Sequence, residues 1–209
     1  MIETFGRLRD ATGQDTAWRA SETALRDRRD ELVIGDNDLR ACCDAIATTL
    51  SAAIARVDAW PSLKVHFDTL DPGRKRTCRR GSKAIEKVRT ETRPERFHEL
   101  RKRIKYHRYH VRLLRRAWPG VMESYARTLK QPGSQLGDAD DLSVLLDILE
   151  REPVLMMAVQ DRPHLLMAIH QERERLRDEA VITAASIYAE KPKFLGARLR
   201  CCWEVCKSG

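Results

Sequence analysis

Between residues 74 and 116 the chain gathers eighteen Lys or Arg against four Glu. This local balance of +14 exceeds the net +8 of the whole chain, so the remainder is net acidic. Such concentration is the footprint of a site for a polyanion and is more than solubility requires. Its centre is the run from Phe97 to Arg112. At about 100° per residue on a helix, His98, Arg101, Lys102, Lys105, Tyr109, Arg112 and Arg116 share one sector, with Arg108 at its edge. Phe97, Leu100, Ile104, Val111 and Leu114 mark the neighbouring sector that seeks a core. The cationic stripe therefore flanks the buried face, whereas an ordinary solvated face lies opposite it. From His98 to Arg112 the stripe spans about 20 Å at about 1.5 Å per residue. That length suits an extended polymer with regularly spaced charge. Arg presents a planar fork to phosphate oxygens, and Lys a mobile point charge.

The preceding segment carries a second stripe: Arg76, Arg79, Arg80, Lys83 and Lys87 share a sector, with Ile85 and Val88 off it. Two adjacent helices of this kind are expected to wall one groove. The bland alternative is a salt-bridged surface, which needs carboxylates three or four positions away. Over 95–117 only Glu95 and Glu99 stand against nine Lys or Arg. Unpaired cations destabilise the free fold, so their retention points to an external anion.

Several residues carry two readings. His98 either donates to phosphate near a helix N-terminus or makes a structural hydrogen bond. Tyr109 either hydrogen-bonds phosphate or closes the core. Asp141 is expected to cap or to pin a neighbouring Arg or Lys. Asp138, Asp140 and Asp141 read better as acidic enrichment in a first turn than as a divalent-ion site. His107 and His110, one turn apart, read better as exposed histidines than as metal ligands. The six cysteines make no CxxC pair, and Cys201, Cys202 and Cys206 lack the spaced pairs of structural zinc. No metal and no cofactor is expected. Arg9, Lys191, Lys193 and Arg198 are cations of lower rank.

No Gly-rich phosphate loop or activated nucleophile accompanies the stripes, and they lack the carboxylates of metal-assisted phosphate chemistry. The expectation is a binder and not an enzyme. RNA or DNA is the alternative ligand, but only Tyr106 and Tyr109 are available for base stacking in the basic region. The opening residues are polar and charged, and no apolar run reaches the roughly 20 residues of a membrane span. A cytoplasmic protein with reduced thiols is expected.

Helical periodicity dominates. Helices are expected over 14–31, 36–59, 74–91, 95–117, 119–130, 138–151, 161–190 and 193–206. Breaks are expected at Gly35-Asp36, Pro61, Asp71-Pro72-Gly73, Pro94, Pro119-Gly120, Pro132-Gly133, Pro153 and Pro192. Pro94 suits a first helical turn.

The run His98-x-x-Arg101-Lys102-x-x-Lys105-x-x-Arg108-Tyr109 resembles the signature of the CHAD family, the conserved histidine α-helical domain. Leu136-Gly137-x-x-x-Asp141-x-x-Val144 is similar to its second element. The tail from Tyr188-Ala189-Glu190-Lys191-Pro192-Lys193-Phe194 through Arg198 and Leu199 to Trp203 is similar to its C-terminal segment. Phe5-Gly6-x-x-Arg9-Asp10 resembles an element of its first half. The resemblance implies an all-α fold of two packed antiparallel helical subdomains with internal pseudo-symmetry. Here they would be residues 1–73, an incomplete half, and 74–209, the half with the basic motif. It also implies binding of inorganic polyphosphate and association with polyphosphate granules. Two departures stand out. The first-half histidine helix is missing before Phe5-Gly6, which would leave a gap in a complete channel and an exposed core face that invites homodimerisation or swapping. Arg112 stands where a Glu is common.

Overall fold

The structure, a computed structural model, describes residues 19, 22–27, 30, 36–61, 66–153 and 162–208. Among these residues it is all-α, without strands. The long helices are α1 (Asp36–Asp58), α2 (Phe67–Thr90), α3 (Pro94–Leu113), α4 (Pro119–Arg151), α5 (Arg162–Tyr188) and α6 (Pro192–Ser208). The Phe5–Asp10 element and most of the helix expected over 14–31 lie outside the described residues.

Pro94 opens α3 in its first turn as expected, where its missing N–H has no partner to lose. Two other breaks do not occur. α2 starts at Phe67 and runs through Pro72, so the break expected at Asp71-Pro72-Gly73 falls inside a helix. α4 runs through Pro132 and Gly133 as one helix, where two were expected. An interior proline costs about 3 kcal/mol through a lost hydrogen bond and ring clash. Here Pro132 is itself buried, and Met122, Leu129 and Leu136 keep one apolar phase across it. Each such side chain gains about 1.5–3 kcal/mol on burial, so packing outweighs the local penalty.

Successive helices pack on one another: α2 on α3, α3 on α4, and α4 on α5, while α2 also meets α5 and α6. One core joins Phe67, Ile85 and Val88 of α2 to Leu100 and Ile104 of α3, Leu129 of α4, Ala184 of α5 and Leu199 of α6. A second lies between the later half of α4 and the earlier half of α5, around Leu142, Leu145, Leu165 and Ile169, with Ala24 and Leu25 against it. By contrast, α1 leaves Leu39, Ile46, Leu50, Ile54 and Val57 exposed. No helix among the described residues is long and apolar enough to cross a membrane.

Two buried polar groups lock this arrangement. Arg74 is 2% exposed. Its Nε donates to Asp71 Oδ1 at 2.9 Å and its Nη2 to the Pro192 carbonyl at 2.9 Å, tying α2 to the start of α6. Lys75 Nζ reaches the other Asp71 oxygen at 2.7 Å. Gly196 is required for this fit, because a Cβ there would sit 2.3 Å from Arg74 Nη2. His107 was expected to be an exposed residue, but it is 1% exposed. Its ring lies 5.5 Å from that of Tyr125 and 5.2 Å from that of Tyr188. Its Nε2 is 3.4 Å from Cys78 Sγ. Burial, with help from nearby His110 and Arg74, pushes His107 down to about 4.

Arg74→Ala strands the Asp71 carboxylate in the core with only Lys75 beside it, and is expected to lower unfolding free energy by about 3 kcal/mol in urea titration. His107 stays neutral in the fold, but the unfolded chain takes its proton below about 6.5. Stability is therefore full above that pH and falls as pH drops toward 4, by about 3 kcal/mol in total. Urea midpoints across this window should show the slope, and His107→Gln should flatten it.

Candidate functional site

The flanking geometry expected of α3 is present. Phe97, Leu100, Ile104, His107 and Val111 are buried. Arg101 and Arg108, nearest that face, are half-buried, while His98, Lys102, Lys105, Tyr109 and Arg112 are exposed. Tyr109 therefore closes no core.

Opposite stands α4. Its Gly137 leaves room for the Arg101 side chain of α3, and Gly133, one turn before it, faces Ile104. A Cβ at Gly133 would lie 3.6 Å from Ile104 Cγ2, and one at Gly137 would lie 2.8 Å from Arg101 Nη2. Arg101 thus lies against the α4 backbone, and its Nη1 donates to Asp140 Oδ2 at 3.2 Å. His98 Nδ1 stands 3.9 Å from the same oxygen. Asp140 is accordingly the carboxylate that holds Arg101; Asp141 lines the groove nearby. These aspartates sit in the middle of α4, not in a first turn. No group of three or more His, Cys, Asp or Glu able to hold a metal occurs among the described residues.

Two adjoining concavities run along the α3–α4 seam and share Arg108 and Lys130. One, of about 290 Å³, takes Arg101, Lys105, Gly133, Gly137 and Asp138 into its lining. The other, of about 520 Å³, adds Arg112, Arg115, Arg116 and Arg127. Together they form a trough with cations on both walls. Arg127 lies 3.7 Å from Glu123. Among the described residues the side chains of Lys105, Arg108, Arg112, Arg115, Arg116 and Lys130 make no ion pair. Of the two glutamates of α3, Glu99 pairs with Arg103, and Glu95 makes no ion pair among the described residues. Of these cations, Arg115, Arg127 and Lys130 escaped the sequence reading. The Arg127–Lys130 spacing, one turn apart on α4, was the available signal.

The second stripe is placed differently from the expectation. Arg74, Cys78, Gly81 and Ile85 form the buried face of α2. Arg76, Arg79, Arg80, Lys83 and Lys87 are exposed on the opposite side. Arg76, Arg79, Arg80 and Lys83 line a concavity of their own with Pro72 and Lys75, of about 500 Å³, which shares no residue with the trough. The two stripes do not wall one groove among the described residues. Lys102 and Tyr109 line neither concavity.

Two of the four lower-ranked cations are occupied, and Lys191 makes no ion pair among the described residues. Arg198 Nη2 pairs with Glu190 at 2.6 Å, and Lys193 Nζ lies 4.9 Å from the Phe194 ring centroid. Arg200 pairs with Asp68. Arg9 lies outside the described residues.

No curated protein and no solved structure matches the chain. The family model described as CHAD domain matches residues 1–150, a span that includes α2, α3 and nearly all of α4 and ends before the tail segment. With that match covering well over half its length, and the basic motif on α3 inside it, the chain belongs to the CHAD domain family.

Proposed function

We propose that this protein binds inorganic polyphosphate, or a similar linear phosphate polyanion, in the α3–α4 trough, and that it does so without chemistry on the chain. The observation that carries the proposal is the set of trough cations that have no internal counter-charge among the described residues. An extended anion relieves their mutual repulsion along a wall that runs about 17 Å from Arg101 to Arg112. The family is associated with polyphosphate binding, which supports the same reading. Arg101, Lys105, Arg108 and Arg112 supply one wall, and Lys130 and Arg127 the other. His98 stands near one mouth beside Asp140. Association with polyphosphate granules follows from such binding.

RNA is the second reading. The trough lining contains no aromatic side chain on which a base can stack, and stacking supplies much of single-strand affinity. Tyr106 and Tyr109 are exposed outside it. Polyphosphate should therefore displace RNA at matched charge.

Calorimetry with linear polyphosphate tests the proposal. The Lys105→Glu/Arg108→Glu/Lys130→Glu variant should lose at least about tenfold in affinity while keeping its helical circular dichroism, a loss equal to about 1.4 kcal/mol. Unchanged affinity would place the ligand elsewhere. By analogy with nucleic acids, about six phosphate contacts predict a fall of roughly 10³-fold between about 50 and about 200 mM salt. Gly137→Ala should separate binding from stability. Its methyl group displaces the Arg101 guanidinium, so affinity should drop several-fold. The helix gains a better helix former, so the melting temperature should hold or rise.

A further inference from the structure

We infer that the exposed cationic face of α2 is a second phosphate site, independent of the trough, and that one long polyphosphate chain engages both. This rests on the reading that the trough holds linear phosphate. Arg76, Arg79, Arg80 and Lys83 line the α2 concavity, together with Pro72 and Lys75. They project from the side of α2 opposite its buried residues Arg74, Cys78 and Ile85. No residue there also lines the trough, so a ligand held on α2 is not simply the trough ligand seen from another side.

The charges on α2 work against its own stability. Arg76 with Arg79, Arg76 with Arg80, Arg79 with Lys83, and Lys83 with Lys87 are like-charged neighbours three or four positions apart, which weaken a helix. Internal relief is missing. Asp71 is occupied by Arg74 and Lys75. Glu86 makes no ion pair among the described residues, and neither do Arg76, Arg79, Arg80, Lys83 and Lys87. Three guanidinium forks within five residues can each take two phosphate oxygens, and the lining offers a peptide or a base no aromatic surface. The ligand class is therefore multiply charged phosphate.

Two such sites on adjacent, packed helices change how chain length is read. A short chain occupies each site separately. A long chain held at one site has a high effective concentration at the other, and gains affinity without any new contact.

Calorimetry with tripolyphosphate and with long-chain polyphosphate tests this. Wild type should bind two tripolyphosphates per chain. Arg76→Glu/Arg79→Glu/Arg80→Glu should remove one and leave the other at its original affinity. Lys105→Glu/Arg108→Glu/Lys130→Glu should do the converse. Either triple variant should weaken long-chain binding by about tenfold or more. Should a reversal variant lose helical circular dichroism, the same positions changed to Gln carry the test. One tripolyphosphate per wild-type chain, unaffected by the α2 changes and abolished by the trough changes, would overturn the second site and leave the proposed function standing. Absence of binding of either probe to wild type would overturn both.

Discussion

The close contact between α3 and α4 is the constraint on which the site depends. At Gly137 a side chain larger than hydrogen would meet the Arg101 guanidinium, while at Gly133 a Cβ would make ordinary contact with Ile104. That approach seals Leu100 and Ile104 into the core while Arg101 and Arg108 stop half-way out, at the lip of the trough. Continuity of α4 through Pro132 serves the same end. A break there would separate Lys130 and Arg127 from the aspartates at the other mouth, and the second wall would be lost.

Electrostatics divides the surface according to how its cations are satisfied. On the outer side, Arg96, Arg103, Arg175 and Arg198 pair with glutamates close in sequence. Such exposed pairs contribute at most about 1 kcal/mol each, but they neutralise those faces. In the trough, carboxylates appear at the ends, Asp138 and Asp141 at one and Glu123 at the other. The stretch between them, around Lys105, Arg108 and Lys130, is left for an external anion.

The helical class and the flanking stripe of α3 were legible because five apolar residues at helical spacing fix the core direction of that helix. The same method failed for α2. Its buried face includes Asp71, Arg74 and Gly81, which a hydrophobic wheel does not mark as inward. Its stripe therefore looked as though it flanked the core, whereas it opposes it. His107 was misread for a related reason, since its neighbours Cys78, Tyr125 and Tyr188 come from three other helices. Pro132-Gly133 reads as a break because propensity is local, while the packing that overrides it comes from other helices of the core. Arg115, Arg127 and Lys130 became visible as site residues only once α4 was seen against α3.

The central claim is that unsatisfied cations on two packed helices hold a phosphate thread between them. A crystal structure of the protein with linear polyphosphate bound tests it most directly. The account predicts phosphate oxygens within hydrogen-bonding distance of Lys105, Arg108 and Lys130, running along the α3–α4 seam. Phosphate found only away from that seam, or these three side chains turned onto carboxylates of the protein itself, would contradict it.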